Sequence, residues 1–494
     1  MIRTNETAAG RPTLDMVPPA YAGALSDLFD TWDSVRQRNR DLSRYYDMKQ
    51  HMRSLGISIP PQCETFAEVV GWCSKAVHAH SMRSVFDGYV FGGRQDASLD
   101  ALVRDNRLRS TYQAALVSSM VHGISAMTVM RGSGPRPVRV RAFSANQFCA
   151  LWDKDEGRIG CGVVLADVDR EGRPSRFVAH FPDAVLTMER SSFPGLPDAW
   201  DCEVEPHAMG RPLMEVMVHD PDLDRPLGHS MLTPELLGIV DKAMRDVLRM
   251  EIGAEFFTFP QRYLLNIAED FFAPPADPDA PTDEDGDLVD DEGHKIPQNA
   301  SDLEKFQTYI GSYLAVSADE DGNAPVVGQF EPTPAENFTT MFENDAQRFS
   351  GATNVPLAQL GVLSNNYTSS DALSAANDPL ILEVETANAR NGEVMEEVAR
   401  MMMAVEGGVP LSGLPDDRAS VQAAFVDPSK PTLASRMDAY TKFAQVDQSI
   451  VGTRVFYEGL GLTQATIDRL ISEKSEAGST SALNRIADSM GGAR

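Results

Sequence analysis

The chain has 494 residues, of which 72 are acidic and 44 are basic, and its formal net charge at pH 7 is −28. At about 100–200 residues per domain, this length provides two to four domains with packed cores. The 42% of hydrophobic and 23% of charged residues exclude a wholly disordered chain. The acidic balance argues against nonspecific coating of DNA, because phosphate binding needs clustered Lys and Arg.

The sequence shows neither the apolar run of a targeting segment nor the cysteine spacing of a metal or disulfide site. No apolar run approaches the ~18 residues of a membrane helix, and the polar stretch Met1–Arg11 has no signal-peptide core. The five cysteines are far apart and none shows C-x-x-C spacing. We therefore expect no membrane partner, no zinc or disulfide framework, and a reducing compartment.

The N-terminal region is predicted to be helical. Leu25, Leu28, Trp32 and Val35 recur at helical spacing, and a second helix is predicted from about Leu99 to Met120. From about Ser125 the apolar period changes to two, in short β-rich runs that turn residues separate. These runs are too close together for helical crossovers, so we expect an antiparallel meander.

Two later helices share one start signal, in which Thr is the N-cap and Pro the first helical residue. The two signals are Thr233-Pro234-Glu235 and Thr333-Pro334-Ala335-Glu336. Between them, segment 263–347 holds 20 acidic and two basic residues. Its Pro-rich part, Glu269–Glu292, is typical of a mobile loop. A calcium-binding EF-hand loop is the more specific alternative. The sequence does not match the EF-hand spacing, because Gly286 at loop position 6 would place Pro281 at position 1.

A break and a long helix follow the second Thr-Pro signal. Gly351 and Pro356 are predicted to break the preceding helix, and Gly361 to interrupt the next turn. A helical stripe then runs from about Ser369 to Val405, and Pro379 is predicted to kink it.

No motif for catalysis is found. No lysine follows a glycine, so a Walker A loop is absent, and no G-x-G-x-x-G, G-x-S-x-G or H-E-x-x-H occurs. His78 and His80 could ligate a metal, but no carboxylate lies at useful helical spacing, and partly buried or surface histidines are the favoured interpretation. We predict no catalytic residue, no metal and no cofactor.

Four stretches, in this order, resemble the portal (head–tail connector) proteins of tailed double-stranded DNA bacteriophages of the siphophage type. They are Tyr45–Gln62 with Val69–Tyr89, the strand block that ends in AVLTMER, the helix from Thr233 into FFTFPQRYLLN, and FSGATNVPLAQLGVLSNNYTSSDALSAAND (Phe349–Asp378). The last is the most specific, because portals have Leu-Gly and then Ser-Ser-Asp/Glu-Ala opening a long helix at this point.

The resemblance implies an α+β portal fold with wing, stem, clip and crown, assembled as a ring, typically of twelve subunits. The implied regions are 1–230 wing, 231–259 stem helix, 260–332 clip with the acidic Pro-rich loop, 333–350 second stem helix, 351–368 tunnel loop, 369–430 long kinked wing helix and return strand, and 431–494 crown helices. The acidic stretch 273–292 is longer than a clip requires, which leaves its role open.

The resemblance also implies the site residues. Asn365, Asn366 and Tyr367 are expected in a tunnel loop, where they offer uncharged polar contacts to moving DNA. The alternative is that Leu360, Val362 and Leu363 tuck this segment into a core as an ordinary connection.

Acidic residues on the second stem helix are the other candidates. Glu336, Glu343 and Asp345 are expected to line the channel and repel DNA. A solvated helix face is the alternative.

The implied function is a DNA channel at one capsid vertex, which docks the packaging terminase, passes and retains viral dsDNA, and joins head to tail. The implied partners are further copies of the chain, the terminase large subunit, the head–tail adaptor, the major capsid protein, the scaffold and viral dsDNA. The protein is expected in the virion after assembly in the host cytoplasm. The alternatives are another capsid or adaptor protein, or a metal-dependent nuclease that uses scattered carboxylates.

Overall fold

The structure is a computed structural model, and it forms two compact units. Unit 1 comprises Met1–Gln50, Gly71–Leu237 and Phe349–Arg494, and unit 2 comprises His51–Val70 and Gly238–Arg348. The structure describes residues 11–50, 69–91, 96–132, 137–191, 199–258, 262–265, 326–329, 336–362, 375–429, 433–462 and 466–474.

The described residues of the first half of the chain form four helices and nine strands. In chain order they are α1 (Pro19–Tyr46), α2 (Trp72–Ser81), β1 (Phe86–Val90), α3 (Ala97–Asp105), α4 (Leu108–His122), β2 (Ile124–Arg131), β3 (Val138–Ser144), β4 (Phe148–Asp153), β5 (Arg158–Val168), β6 (Pro174–His180), β7 (Ala184–Arg190), β8 (Trp200–Pro206) and β9 (Met214–Val218).

The second half is mainly helical. It contains α5 (Pro234–Thr258), β10 (Arg262–Leu265), β11 (Val326–Gln329), α6 (Glu336–Thr353), α7 (Leu357–Leu360), α8 (Asp378–Gly407), α9 (Asp416–Ala419), β12 (Gln422–Phe425), α10 (Leu433–Val446) and α11 (Arg454–Gly459), with 3-10 turns at Leu411–Gly413 and Gln448–Ile450. Residues 466–474 are also helical. No helix in the described part of the chain is long and apolar enough to cross a membrane.

The described strands pair antiparallel in four sheets. The meander that the period-two pattern predicts from about Ser125 is found in β4 to β8, whereas β2 and β3 form a separate sheet with β9. The orders are β4-β5-β6-β7-β8, β3-β2-β9, β1-β12 and β10-β11. Helix α1 covers one face of the five-stranded sheet, where Phe29 and Trp32 each meet Phe177 edge-on at ring-centroid distances of 5.3 and 6.0 Å. Next to the three-stranded sheet, a Cβ added at Gly162 would lie 2.6 Å from the Met214 sulfur, so a larger residue there would require the Met214 side chain to move.

Two predicted helix boundaries were wrong. The helix expected from Leu99 to Met120 is two helices, α3 and α4, because Arg107 adopts a left-handed conformation (φ 50°) between them. Helix α6 continues through Gly351 and ends at Thr353, before Asn354 with φ 52°. Pro379 lies in the first turn of α8, where a missing N–H costs nothing, so it does not kink α8; residues 369–374 of the predicted helix lie outside the described residues.

In unit 2, the described helical residues are those of α5 from Gly238 onward and of α6 as far as Arg348. The predicted cap of α5 is confirmed, because the Leu236 amide donates to Thr233 Oγ1 at 3.4 Å. The second Thr-Pro signal and most of the acidic segment lie outside the described residues.

The five-stranded sheet contains one buried titratable group with unsatisfied nitrogens. His180 ends β6 and is 0% exposed. Among the described residues, neither of its ring nitrogens has a hydrogen-bond partner. Burial, and secondarily the charge of nearby His207, lower the pKa of His180 to about 3. The imidazole is therefore neutral in the folded protein at pH 7.

We predict that this histidine makes the fold sensitive to acid. Below pH 6.5 the unfolded chain binds a proton at His180 and the folded chain does not, so the free energy of unfolding falls by about 1.4 kcal/mol per pH unit. Urea unfolding at pH 7.0 and 5.0 should show that His180→Leu loses about 2 kcal/mol less than the parent chain. The matched control is His78→Gln on the exposed surface of α2. Equal losses in the parent chain and His180→Leu would contradict the prediction.

Candidate functional site

The predicted site residues differ in whether the structure describes them and in how exposed they are. Asn365, Asn366 and Tyr367 lie outside the described residues. Glu336 and Glu343 are exposed on α6, whereas Asp345 on the same helix is fully buried. The prediction that Asp345 lines a channel is therefore corrected, because a carboxylate without exposed surface cannot face DNA.

The carboxylate of Asp345 binds a lysine of the other long helix in unit 2. Lys242 Nζ on α5 donates to Asp345 Oδ1 at 2.7 Å. One turn further along α5 lies Asp246, which is also buried and accepts a hydrogen bond from Arg249 at 2.9 Å. Burial raises the pKa of Asp246, and the charge of Asp345 adds to that increase. The two carboxylates thus interact, and α5 supplies the cations that balance them.

We predict that Lys242 is needed because it neutralises Asp345. Removing one partner of a fully buried ion pair costs about 3–5 kcal/mol. The Lys242 side chain is 38% exposed, so we expect Lys242→Met to lower the free energy of unfolding by a smaller amount, about 1–3 kcal/mol. The double variant Lys242→Met/Asp345→Leu should recover most of that loss, because neither charge is left behind.

Urea unfolding of the parent chain and these two variants checks this. The matched control is Lys442→Met, whose partner Asp438 and own side chain are 66% and 70% exposed, so its effect should stay below about 0.5 kcal/mol. A double variant as unstable as Lys242→Met alone would show that the lysine acts in another way.

The segment that follows α6 begins with a tight reversal in unit 1. Asn354 turns the chain in its left-handed conformation, and Ser350 Oγ donates to the Val355 carbonyl at 2.7 Å. Pro356 then opens the single turn of α7, and Gly361 (φ 87°) ends it. Val355 is 0% and Leu360 3% exposed. Val355 and Leu360 are thus buried, as the ordinary-connection alternative predicts for Leu360, whereas Ala358 and Gln359 between them are exposed.

The two flanks of segment 361–377 bind each other directly. Gln359 Nε2 in α7 donates to Asn377 Oδ1, just before α8, at 3.2 Å. Asn354 Nδ2 donates to Glu383 Oε1, in the first turns of α8, at 2.6 Å. The ends of the segment are therefore held together, whatever lies between them.

Helix α2 and its C-terminal extension bind both flanks as well. Lys75 Nζ donates to the Leu360 carbonyl at 3.1 Å, where the negative end of α7 favours a cation. Arg83 Nη2 donates to Asn377 Oδ1 at 2.9 Å. His80 Nε2 lies 2.8 Å from Glu383 Oε2. We name the following set the loop base: Lys75, His80, Arg83, Asn354, Gln359, Asn377 and Glu383.

Glu383 supplies the carboxylate of the loop base. Burial alone would raise its pKa, but the hydrogen bonds from His80 and Asn354 outweigh burial and hold the pKa of Glu383 below its ordinary value. The carboxylate is therefore ionised at neutral pH, and it accepts hydrogen bonds from His80 in α2 and from Asn354 in the reversal after α6.

Sequence reasoning did not find the loop base. From the sequence, His78 and His80 were considered together as possible metal ligands. In the structure they have different partners, because His78 lies 3.0 Å from the Tyr46 hydroxyl and His80 contacts Glu383. No group of three or more metal-ligating side chains occurs among the residues that the structure describes. The partner of His80 is 303 positions away along the chain, and no local pattern signals such a contact.

The family model described as phage portal protein, SPP1 Gp6-like, matches residues 25–476. The chain belongs to this family. The portal protein of Mycobacterium phage D29 is 24% identical over 449 residues, which cover 88% of this chain and 84% of that protein. The portal protein of Mycobacterium phage L5 is 24% identical over 418 residues, with coverages of 82% and 79%.

Two solved structures are similar to this portal-family chain at low sequence identity. A chain in "Neck of empty GTA particle computed with C6 symmetry" is 13% identical, with a TM-score of 0.42 and coverages of 92% and 96%. A chain in "Virion of native gene transfer agent (GTA) particle" is 12% identical, with the same TM-score and coverages. The predicted resemblance to portal proteins and the predicted α+β fold class are confirmed. The family is a structural one of the phage particle.

Proposed function

We propose that copies of this chain form a ring, of about twelve subunits, whose central channel passes viral dsDNA at one vertex of a phage capsid. In this proposal the ring docks the terminase large subunit during packaging, contacts the major capsid protein and scaffold, and later binds the head–tail adaptor. Family membership supports the portal role. The proposal assigns no catalytic residue, and it assigns the virion as the protein's location.

The observation that carries the channel function is the loop base. A loop that contacts moving DNA needs fixed ends, because otherwise the DNA would displace the loop instead of sliding past it. The ends of segment 361–377 bind each other through Gln359–Asn377 and Asn354–Glu383. We therefore propose that this segment is the tunnel loop and that Asn365, Asn366 and Tyr367 contact the DNA.

The proposed regions keep the boundaries of the sequence analysis, except that the tunnel loop is placed at 361–377 in place of 351–368 and the long wing helix begins at Asp378 in place of residue 369. Helices α5 and α6 supply the two stem helices, and α8 begins at Asp378 without a kink. Glu336 and Glu343 remain the exposed acidic candidates for the channel wall. An acidic wall suits a conduit because basic rows would grip the phosphates.

We predict that replacing Asn365, Asn366 and Tyr367 together with Ala leaves ring assembly intact and lowers the fraction of heads that retain DNA. Loop contacts to DNA are lost, and the loop base, which lies outside the replaced residues, still forms. Negative-stain imaging and sedimentation of the purified protein report the ring. Nuclease-protected DNA in particles that carry the variant reports retention.

A matched control replaces three exposed uncharged polar residues of the C-terminal part, Thr441, Gln445 and Gln448, with Ala. Normal DNA retention in the Asn365/Asn366/Tyr367 variant would show that these three residues do not contact the DNA. Loss of rings would instead assign them to a buried connection. A parent chain that sediments at 54.0 kDa at micromolar concentration and shows no ring would overturn the portal proposal itself.

A further inference from the structure

The five-stranded sheet ends in β8, which pairs with β7 on one side. The Ser191 amide donates to the Ala199 carbonyl and the His207 amide donates to the Asp183 carbonyl, each at 2.8 Å. In an antiparallel pair such bonds recur at every second residue. The odd-numbered residues of 199–207 therefore bond to β7, and the amides and carbonyls of the residues between them point away from the sheet.

These outward groups form a regular row, which we name the open edge of β8. They belong to Trp200, Cys202 and Val204, and Pro206 adds a carbonyl but no N–H. No residue in the described part of the chain binds any of them. The pairing of β8 with β7 has no register shift, so no bulge bends the strand away. Such an edge is a template on which another extended chain can add as the next strand.

The side chains of β8 differ between its two faces. Those of the even-numbered residues 200–204 contribute to the core beneath α1. Asp201, Glu203 and Glu205 alternate with them and are exposed on the opposite face. An added strand would therefore extend the apolar face with one set of its side chains and meet three carboxylates with the other.

The three carboxylates have no ion-pair partner among the residues that the structure describes. Asp201 lies directly opposite Glu189 on β7, and like charges in opposite positions destabilise a sheet. Arg176 on β6 lies 3.4 Å from Glu189 and 3.5 Å from Asp167, so its charge is already shared between two other carboxylates. The outer face of the sheet thus has uncompensated negative charge at its open edge.

This charge limits which strand can add to the edge. If a second copy of the chain paired through its own β8, carboxylates would lie beside carboxylates and oppose the contact. A strand with basic side chains at every second position would instead place a cation beside each acid. Apolar side chains between the basic ones would cover the partly buried Cys202 and Val204.

We propose that the open edge of β8 is a docking site for an extended segment of another protein, in which basic residues alternate with apolar ones. The backbone of this segment bonds to the outward amides and carbonyls, which gives affinity, and the three carboxylates select its charge. The site follows from the sheet alone and does not rest on the proposed channel function.

A fluorescent peptide tests the site in the full-length protein. The probe is Thr-Arg-Val-Lys-Val-Arg-Thr with blocked ends, and its binding is followed by fluorescence anisotropy at low salt. One reference peptide, Thr-Glu-Val-Asp-Val-Glu-Thr, reverses the charge. The other, Thr-Arg-Pro-Lys-Pro-Arg-Thr, keeps the charge but lacks two of the N–H groups that a strand needs. We expect the probe to bind at least roughly tenfold more tightly than either reference peptide.

Two variants of β8 separate strand addition from general attraction between charges. Asp201→Asn/Glu203→Gln/Glu205→Gln should weaken binding of the probe by roughly three- to thirtyfold, because each exposed ion pair contributes little by itself. Val204→Pro removes an outward N–H and leaves the bonds to β7 in place, so it should weaken the probe as well. The exposed triple variant keeps the test available where the proline prevents folding.

A matched control and a second measurement complete the test. Glu385→Gln/Glu393→Gln/Glu406→Gln removes the same charge from exposed positions of α8 and should leave binding of the probe unchanged. Hydrogen exchange of peptides that cover 199–207 should slow when the probe is added, because the outward amides become bonded. General attraction between charges would not slow it.

Equal binding of the probe and the proline-containing peptide, or equal binding by the parent chain and the β8 triple variant, would overturn the proposal. Slow exchange of the outward amides before any peptide is added would assign the edge to a contact between copies of the chain, and it would overturn the basic partner as well. None of these results bears on DNA retention, which the Asn365/Asn366/Tyr367 variant tests in particles.

Discussion

The contacts of α2 with both flanks of segment 361–377 are the constraint on which the candidate site depends. The apolar side of α2 is part of the core of unit 1, where Trp72 packs against Phe349 at a ring-centroid distance of 5.6 Å. Its other residues supply donors, and each donor binds an acceptor on one flank. A single helix thus contacts α6 through Trp72, α7 through Lys75 and α8 through His80, and its burial in the core sets the position of all three contacts.

The net charge of the chain does not distinguish buried carboxylates from exposed ones. The described carboxylates of α6 differ in kind: Asp345 neutralises Lys242 inside unit 2, while Glu336 and Glu343 face solvent. A buried carboxylate that is paired adds nothing to the potential at the surface. Any electrostatic effect on DNA therefore depends on which acids are exposed, and composition alone does not tell them apart.

The sequence predicts the parts of this fold that follow from local periodicity. The apolar spacing of α1, the period-two strands and the Thr233 cap are local features, and the structure confirms them. Arg107 and Pro379 show where local reasoning stops. A left-handed arginine carries no sequence signal, and proline is compatible with a kink and with a first helical turn.

The loop base was beyond sequence reasoning for a different reason. Its contacts join residues 285, 294 and 303 positions apart, so their partners are chosen by the assembled core and not by neighbours in the chain. The resemblance to portal proteins placed a loop in this region, but it did not indicate which side chains hold the ends of that loop.

The arrangement of the loop base also determines how it can move. Asn354, Glu383 and His80 form one connected set of hydrogen bonds, and Gln359, Asn377 and Arg83 form a second. Within each set the central acceptor, Glu383 or Asn377, receives bonds from two directions, so displacing it breaks both bonds together. Bonds that break together favour two discrete arrangements over a continuous range. Because the two sets share no residue, one side of the loop base can open while the hydrogen bonds of the other side stay in place.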